Sequence, residues 1–133
     1  MSELFLGVDG GQSSTKALIG DASGLILGRG TAGPCNHVSG DAARVKFLRT
    51  IGECVAAARA DAGIASDARF RAACFGMSGG PEDKAALLKE VVDADRWLVT
   101  HDGRIALSGA LAGDDGIVVI AGLFVYQGLT QVQ

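Results

Sequence analysis

The segment GVDGGQSSTK, residues 7–16, brings together residue types that suit phosphate chemistry. Asp9 ends an apolar run, and its carboxylate can hold Mg²⁺ or the waters of that ion. The amides of Gly10 and Gly11 can approach phosphate oxygens closely, because glycine has no Cβ in the way. The other candidates for contact with the phosphates of a nucleotide are Gln12, Ser13, Thr15 and Lys16. A tight hairpin whose hydroxyls simply face solvent is the alternative interpretation.

Two common phosphate-binding motifs are absent from this segment. A P-loop requires G-x-x-x-x-G-K-[ST] at the start of a helix, and the segment has neither that spacing nor a helical pattern after it. A dinucleotide fingerprint requires G-x-G-x-x-G between a strand and a helix, which is also missing. The segment therefore predicts a turn between two strands whose glycine amides can bind phosphate.

The composition limits the functional classes. With 133 residues, 48% of them hydrophobic, the chain can form one compact domain. Its net charge of −3 comes without a basic cluster, which argues against nucleic-acid binding. Three cysteines without a C-x-x-C pair predict neither a disulfide framework nor a zinc or iron–sulfur site. The longest apolar run, GIVVIAGLFVY, is shorter than the roughly 18 residues of a membrane helix. We expect a cytoplasmic protein that does not span a membrane.

Three strands are predicted before the first helix. Residues Leu4 to Val8 form an apolar run, STKALIGD alternates, and LILGRG follows after the turn Asp21 to Gly24. Because tight turns join them, these strands should form an antiparallel meander. A loop rich in glycine, proline and asparagine, GTAGPCNHVSG, comes next.

The rest of the chain alternates helices and strands. A helix should begin at an N-capping Asp41 and stop at Gly63. Its predicted apolar face is Val45, Leu48, Ile51 or Gly52, Val55 and Ala58. The pattern continues with a strand at Ala72 to Phe75 and a helix from about Pro81 to Val92. It is completed by the strand RWLVT, a third helix capped by Asp102 and the strand GIVVIAG. This order predicts an α/β fold, a mixed sheet with helices on both faces.

Four segments in this order resemble the BadF/BadG/BcrA/BcrD ATPase family, which includes N-acetylglucosamine kinases within the actin-like ATPase and sugar-kinase superfamily. They are GVDGGQSSTKALIGD, LGRGTAGPCNH, FGMSGG and THDGRIALSGALAGDDGIVVIAG. The resemblance extends from about Leu4 to Gly122. It implies a ribonuclease-H-like lobe that binds ATP and Mg²⁺, with Asp9 at the metal and the following loop at the phosphates.

The resemblance also implies roles for residues outside the first loop. Asn36, with His37 beside it, would bind sugar hydroxyls, and Asp102 would accept the proton of the attacking hydroxyl. The turn after the fourth strand would lie near the sugar and the transferred phosphate, through Ser78, Gly79 and Gly80. Each has an ordinary structural alternative, namely a turn asparagine, an N-cap and a helix cap.

The sequence departs from the family after Gly122. There the family continues with a second phosphate loop, Gly-Thr-Gly-Ser, whereas this chain reads LFVYQGLTQVQ. We therefore expect residues 1–113 to form the N-terminal ATPase lobe, and residues 114–133 to be the first strand of a second lobe followed by a divergent tail. We also expect the chain alone to be inactive or nearly so, and its exposed last strand to promote self-association.

Three functions fit these observations. The first is ATP-dependent phosphoryl transfer to an amino sugar. The second is an ATPase activator of a 2-hydroxyacyl-CoA dehydratase or benzoyl-CoA reductase, which is less favoured because Cys35, Cys54 and Cys74 lack the spacing for an iron–sulfur cluster. The third is a domain that binds a sugar or a nucleotide without turnover.

Overall fold

The computed structural model describes residues 3–35, 40–78, 84–101, 105, 116–120 and 128–132. Five strands form one mixed sheet in the order β3-β2-β1-β4-β5. Their bounds are Leu4–Gly10 (β1), Thr15–Asp21 (β2), Ile26–Ala32 (β3), Ala72–Met77 (β4) and Trp97–His101 (β5). The first three strands are antiparallel neighbours, as expected, while β4 and β5 continue the sheet in parallel from β1.

The turn between β2 and β3 follows from its residues. The amide of Gly24 donates to the carbonyl of Asp21 at 3.0 Å, and Gly24 has a φ of 88°, which favours glycine. The Asp21 carboxylate accepts hydrogen bonds from the amides of Ser23 and Leu25 and from the Ser23 hydroxyl. The hydroxyl of Ser23 is the main reason why the pKa of Asp21 lies below its usual value. The predicted turn from Asp21 to Gly24 is thus confirmed.

Helix α1, Asp41–Ala62, packs directly on β2 and β3. A Cβ at Gly30 would collide with the carbonyl oxygen of Cys54 and the amide of Ala58, and one at Gly28 would collide with the helix backbone in the next turn. The two glycines therefore allow the helix backbone to lie against the strand. The helix ends at Gly63, which adopts the left-handed conformation with a φ of 69°, as predicted.

Two details of the α1 prediction are wrong. Gly40, not Asp41, is the N-cap, and no side-chain hydrogen bond caps the helix. Asp41 is the first helical residue, where its charge still favours the positive end of the helix dipole. Val45 was expected on the buried face but is 61% exposed, because the contact with Gly28 and Gly30 sets the helix rotation. The buried residues are Phe47, Thr50, Ile51, Cys54, Val55 and Ala58.

Helix α2, Ala85–Val91, lies beside α1, where Val91 contacts Gly52. The predicted start at Pro81 lies outside the described residues, and the helix ends one residue before the predicted Val92. Alternate residues of the strands fill the core beneath the helices: Leu6, Val8, Ala17, Ile19, Ala73, Phe75 and Met77. Ile105 contacts Gly76 on the opposite face, so described helical residues lie on both faces of the sheet.

Charged side chains join the amino-terminal edge of the sheet. Arg71 donates its amide to the carbonyl of Leu4 at 2.7 Å, and its guanidinium lies 3.3 Å from Asp95. Arg69 donates to the same carboxylate at 2.8 Å, so Arg71 and Arg69 together lower the pKa of Asp95. Because these groups are exposed, the pairs contribute little stability. They lie where β1, β4 and β5 begin, at the end of the sheet opposite the loop between β1 and β2.

Strand β6, Gly116–Ile120, corresponds to the predicted segment GIVVIAG. It pairs in antiparallel fashion with β7, Gly128–Val132, a strand that sequence analysis did not predict. The expectation that the apolar last strand is exposed is therefore wrong for one of its edges, which pairs with β7. Self-association remains a prediction. No helix among the described residues is both long and apolar enough to cross a bilayer.

The contact between β3 and α1 can be tested by Gly30→Ala. The added methyl group would collide with backbone atoms of α1, which cannot rotate away as a side chain can, so the free energy of unfolding should fall by about 1–3 kcal/mol. Urea unfolding followed by circular dichroism measures this change. Gly7→Ala is the matched control, because no described atom lies within 4 Å of the position that a Cβ would take there. Equal effects of the two substitutions would contradict the proposed close packing.

Candidate phosphate-binding site

The loop between β1 and β2 is closed by its own backbone. The amide of Gly11 donates to the carbonyl of Ser14 at 2.9 Å, and the sheet register places Gly10 opposite Thr15. This turn is tight because Gly11 has no side chain, since a Cβ there would approach the Ser14 carbonyl oxygen to 2.9 Å. Gln12 and Ser13 lie at the tip and are exposed. The predicted turn between two strands is confirmed, and its tip is open to a ligand.

Hydrogen bonds tie this loop to the segment that follows β3. The hydroxyl of Thr15 donates to the carbonyl of Gly33 at 2.7 Å, and the Thr15 side chain is fully buried. The amide of Cys35 donates to the carbonyl of Gly11 at 3.3 Å. Thr15, expected to contact phosphate, is therefore used to fix the loop, because its only hydroxyl is already directed into the protein.

The end of β4 supports the same loop from the other side. The amide of Ser78 donates to the carbonyl of Gly10 at 2.8 Å, and Ser78 is 7% exposed. Since β1 and β4 are parallel, their carboxyl ends meet at one edge of the sheet. Gly10 of the first loop and Ser78 of the turn after β4 are therefore neighbours at this edge. A Cβ at Gly10 would collide with the side chains of Met77 and Cys35, which explains the glycine at this position.

Asp9 and Lys16 are cross-strand neighbours on the face of the sheet opposite α1. Both are exposed, so a carboxylate and an ammonium group stand side by side at the base of the loop. They line a cavity of about 580 Å³ that continues across this face of the sheet. Its other lining side chains include Leu18, Arg29, Thr31, Cys74 and Ile105.

A metal ion with phosphate ligands would fit Asp9. Mg²⁺ usually takes one or two carboxylates from the protein and fills its other positions with phosphate oxygens and water. Within the described ranges no group of three or more acidic, histidine or cysteine residues could hold a metal alone. An exposed single carboxylate next to glycine amides therefore suits an ion that arrives with a nucleotide, and does not suit a permanent metal centre.

The charges of Lys84 and Asp9 both affect the pKa of the Cys35 thiol. Burial raises the pKa of the Cys35 thiol, while its interaction with the Thr15 hydroxyl and the positive charge of Lys84 act in the opposite direction. The charge of Asp9 adds to the increase. Cys54, on α1, is fully buried, and its burial raises the thiol pKa to about 11. Neither cysteine is therefore expected to be a reactive thiolate at neutral pH.

Lys84 is a residue that sequence analysis did not select. It is only 3% exposed and forms the N-cap position of α2, where its carbonyl accepts a hydrogen bond from the amide of Leu88. In the sequence it ends the charged run Glu-Asp-Lys, which predicts an exposed helix start. A lysine within an apparently solvated run carries no sequence signal of burial, so only the folded structure could identify it.

Several predicted site residues lie outside the described part of the chain. These are Asn36, His37, Gly79, Gly80 and Asp102. Their neighbours Cys35, Ser78 and His101 are described, and the first two contact the Gly10–Gly11 backbone. The third ends β5 at the same edge of the sheet, opposite Met77 in the register. Cys35, Ser78 and His101 therefore all lie at the edge of the sheet that carries the loop between β1 and β2.

The role of Thr15 in fixing the loop can be tested by Thr15→Val, which keeps the shape and removes the hydroxyl. The free energy of unfolding should decrease by about 1 kcal/mol, because the bond to Gly33 is lost. Chemical denaturation measures the decrease. Thr15→Ser keeps the hydroxyl and should recover most of the bond energy. A Val variant as stable as the wild type would show that this bond does not anchor the loop.

Comparison with known proteins agrees with the resemblance seen in the sequence. The model of the BadF/BadG/BcrA/BcrD ATPase family matches residues 6–125. Curated protein sequences gave no match. A crystal structure described as a candidate N-acetylglucosamine kinase from Chromobacterium violaceum is 24% identical, with a TM-score of 0.70. The alignment covers 89% of this chain and 41% of that one, so this chain spans less than half of the kinase structure.

Two further solved structures overlap less well. A diol dehydratase-reactivating factor in nucleotide-free form is 23% identical with a TM-score of 0.43, covering 56% of this chain and 12% of that one. Component A of the (R)-2-hydroxyglutaryl-CoA dehydratase of Acidaminococcus fermentans is 17% identical with a TM-score of 0.42, covering 73% and 30%. Scores this low support no further conclusion. The α/β architecture expected of an actin-like ATPase lobe is confirmed by the first alignment, and the family match shows that the chain belongs to the BadF/BadG/BcrA/BcrD ATPase family.

Proposed function

We propose that this chain provides the phosphate-binding lobe of an ATP-dependent kinase that acts on an amino sugar such as N-acetylglucosamine. The observation that carries the proposal is the loop from Gly10 to Thr15, held between the Cys35 and Ser78 backbones with Asp9 and Lys16 at its base. Membership of an ATPase family supports ATP as the nucleotide. The fold shared with a candidate N-acetylglucosamine kinase makes an amino sugar the preferred acceptor.

The proposed roles divide between two groups of residues. Asp9 would hold Mg²⁺ or its waters, and the amides of Gly10 and Gly11 would bind phosphate oxygens, with Lys16 beside them. Gln12 and Ser13, exposed at the tip of the loop, are placed to reach the same anion. On the sugar side we assign Asn36, His37, Ser78 and Gly79 to substrate binding. Asp102 would accept the proton of the attacking hydroxyl.

This arrangement supplies one side of a kinase site. Phosphoryl transfer depends mainly on positioning and on neutralising the charge of the phosphates, which requires contacts around the whole nucleotide and exclusion of water. Since the chain spans 41% of the similar kinase structure, we propose that residues 1–113 are its N-terminal lobe and residues 114–133 begin the next. We further propose that the 133 residues alone bind ligands but transfer phosphate slowly or not at all.

The nucleotide part of the proposal can be tested by Asp9→Asn. The substitution removes the carboxylate that Mg²⁺ would use, so Mg²⁺ should no longer strengthen ATP binding, an effect we expect to exceed about tenfold in affinity. Calorimetric titration with ATP, with and without Mg²⁺, measures it. Glu90→Gln is the control, an exposed charge removal on α2. Unchanged Mg²⁺ dependence in Asp9→Asn would exclude Asp9 as the metal ligand.

The one-sided site makes a second prediction. Incubation of the purified chain with Mg²⁺, ATP and N-acetylglucosamine should give sugar phosphate at or below the detection limit, while calorimetry detects binding of both ligands. Steady phosphorylation that is abolished by Asp102→Asn and kept by His101→Gln would contradict the predicted inactivity and identify Asp102 as the base. Binding of neither ligand would oppose the kinase proposal, and iron in anaerobically purified protein would favour the activator function.

A further inference from the structure

A second lysine is buried on the side of the sheet opposite Lys16, at the start of α2. Lys84 is 3% exposed, whereas Lys89 on the same helix is exposed and lies over the ring of Trp97 at 5.7 Å. Lysine is almost never fully buried without compensation, because its ammonium group loses hydration. Lys84, unlike Lys89, therefore places a positive charge inside the protein, at the N-terminal end of α2.

Lys84 is the N-cap residue of α2, and α2 packs against α1 on the side of the sheet that faces away from the cavity. Cys35, whose thiol pKa is sensitive to the charge of Lys84, donates its amide to Gly11 and would contact any Cβ at Gly10. The charge of Asp9 acts on the same thiol. Lys84 thus lies on the α-helical side of the loop, while the Asp9 and Lys16 side chains lie on the cavity side. Lys84 is therefore buried on the helix side of the sheet, whereas Lys16 is exposed on the cavity side.

We propose that Lys84 is a positioning residue for phosphate: its buried ammonium group supplies positive charge beneath the Gly10–Thr15 loop and strengthens binding of a polyphosphate there. A charge in a region of low dielectric acts more strongly and is less screened by salt than an exposed one. Lys84 therefore contributes to anion affinity at any ionic strength, whereas the exposed Lys16 contributes mainly at low ionic strength. This inference rests on the phosphate-binding part of the proposed function and does not depend on the sugar.

The test is calorimetric titration of the chain with Mg²⁺-tripolyphosphate and with Mg²⁺-ATP, each at low and high ionic strength. Lys84→Met, which keeps the length of the side chain, should weaken both affinities about tenfold under both conditions. Lys16→Met should weaken binding mainly at low ionic strength. Lys84→Arg should restore most of the affinity, since the charge returns. Lys89→Met is the matched control and should bind like the wild type.

Three results would overturn the inference. The first is a folded Lys84→Met variant that binds tripolyphosphate as tightly as the wild type. The second is failure of both Lys84→Met and Lys84→Arg to fold, judged by cooperative unfolding, since the lysine would then serve the core alone. The third is absence of tripolyphosphate binding by the wild-type chain. Binding of tripolyphosphate without any preference for ATP or sugar would instead oppose the proposed kinase function and leave the role of Lys84 intact.

Discussion

The close contact between β3 and α1 determines the geometry of the candidate site. Gly28 and Gly30 allow the helix backbone to lie on the strand, so the position of α1 is set by backbone atoms and not by adaptable side chains. Gly33 and Cys35, which follow β3, lie at the end of β1, where the Gly33 carbonyl accepts from Thr15 and the Cys35 amide donates to Gly11 of the candidate loop. A contact in the core thus fixes a loop at the edge of the sheet.

The sequence predicted the helices, strands and turns better than it predicted the tertiary contacts between them. The alternation of β2, the glycine turn at Asp21–Gly24 and the stop at Gly63 depend on local backbone preferences, and all three are present. The buried face of α1 was misjudged at Val45, because helix rotation is decided by Gly28 and Gly30, far away in the sequence. Strand β7 was missed because its pairing with β6 is not visible in its own residues.

In the candidate site, too, residue types could be read from the sequence, whereas tertiary contacts could not. Asp9, Gly10 and Gly11 could be selected as candidates because a carboxylate suits Mg²⁺ and glycine amides suit phosphate, although a plain hairpin can contain the same residues. Thr15 was assigned to phosphate because its hydroxyl is chemically suitable, but its bond to Gly33 depends on where β3 ends. Lys84 could not be selected, since burial of a charge is a property of the whole fold. Residue type therefore suggests chemistry, while tertiary contacts decide which groups are available for it.

The parallel pairing of β1 with β4 has a consequence for how the site forms. The first three strands can pair through short turns as soon as they are made, whereas β4 must cross over after the whole of α1. Contacts that close long stretches of chain form slowly compared with hairpins. The bond from Ser78 to Gly10 belongs to this late group. During synthesis the free edge of β1 stays open until β4 emerges, so the loop between β1 and β2 gains its support from Ser78 only after α1 and β4 have been made.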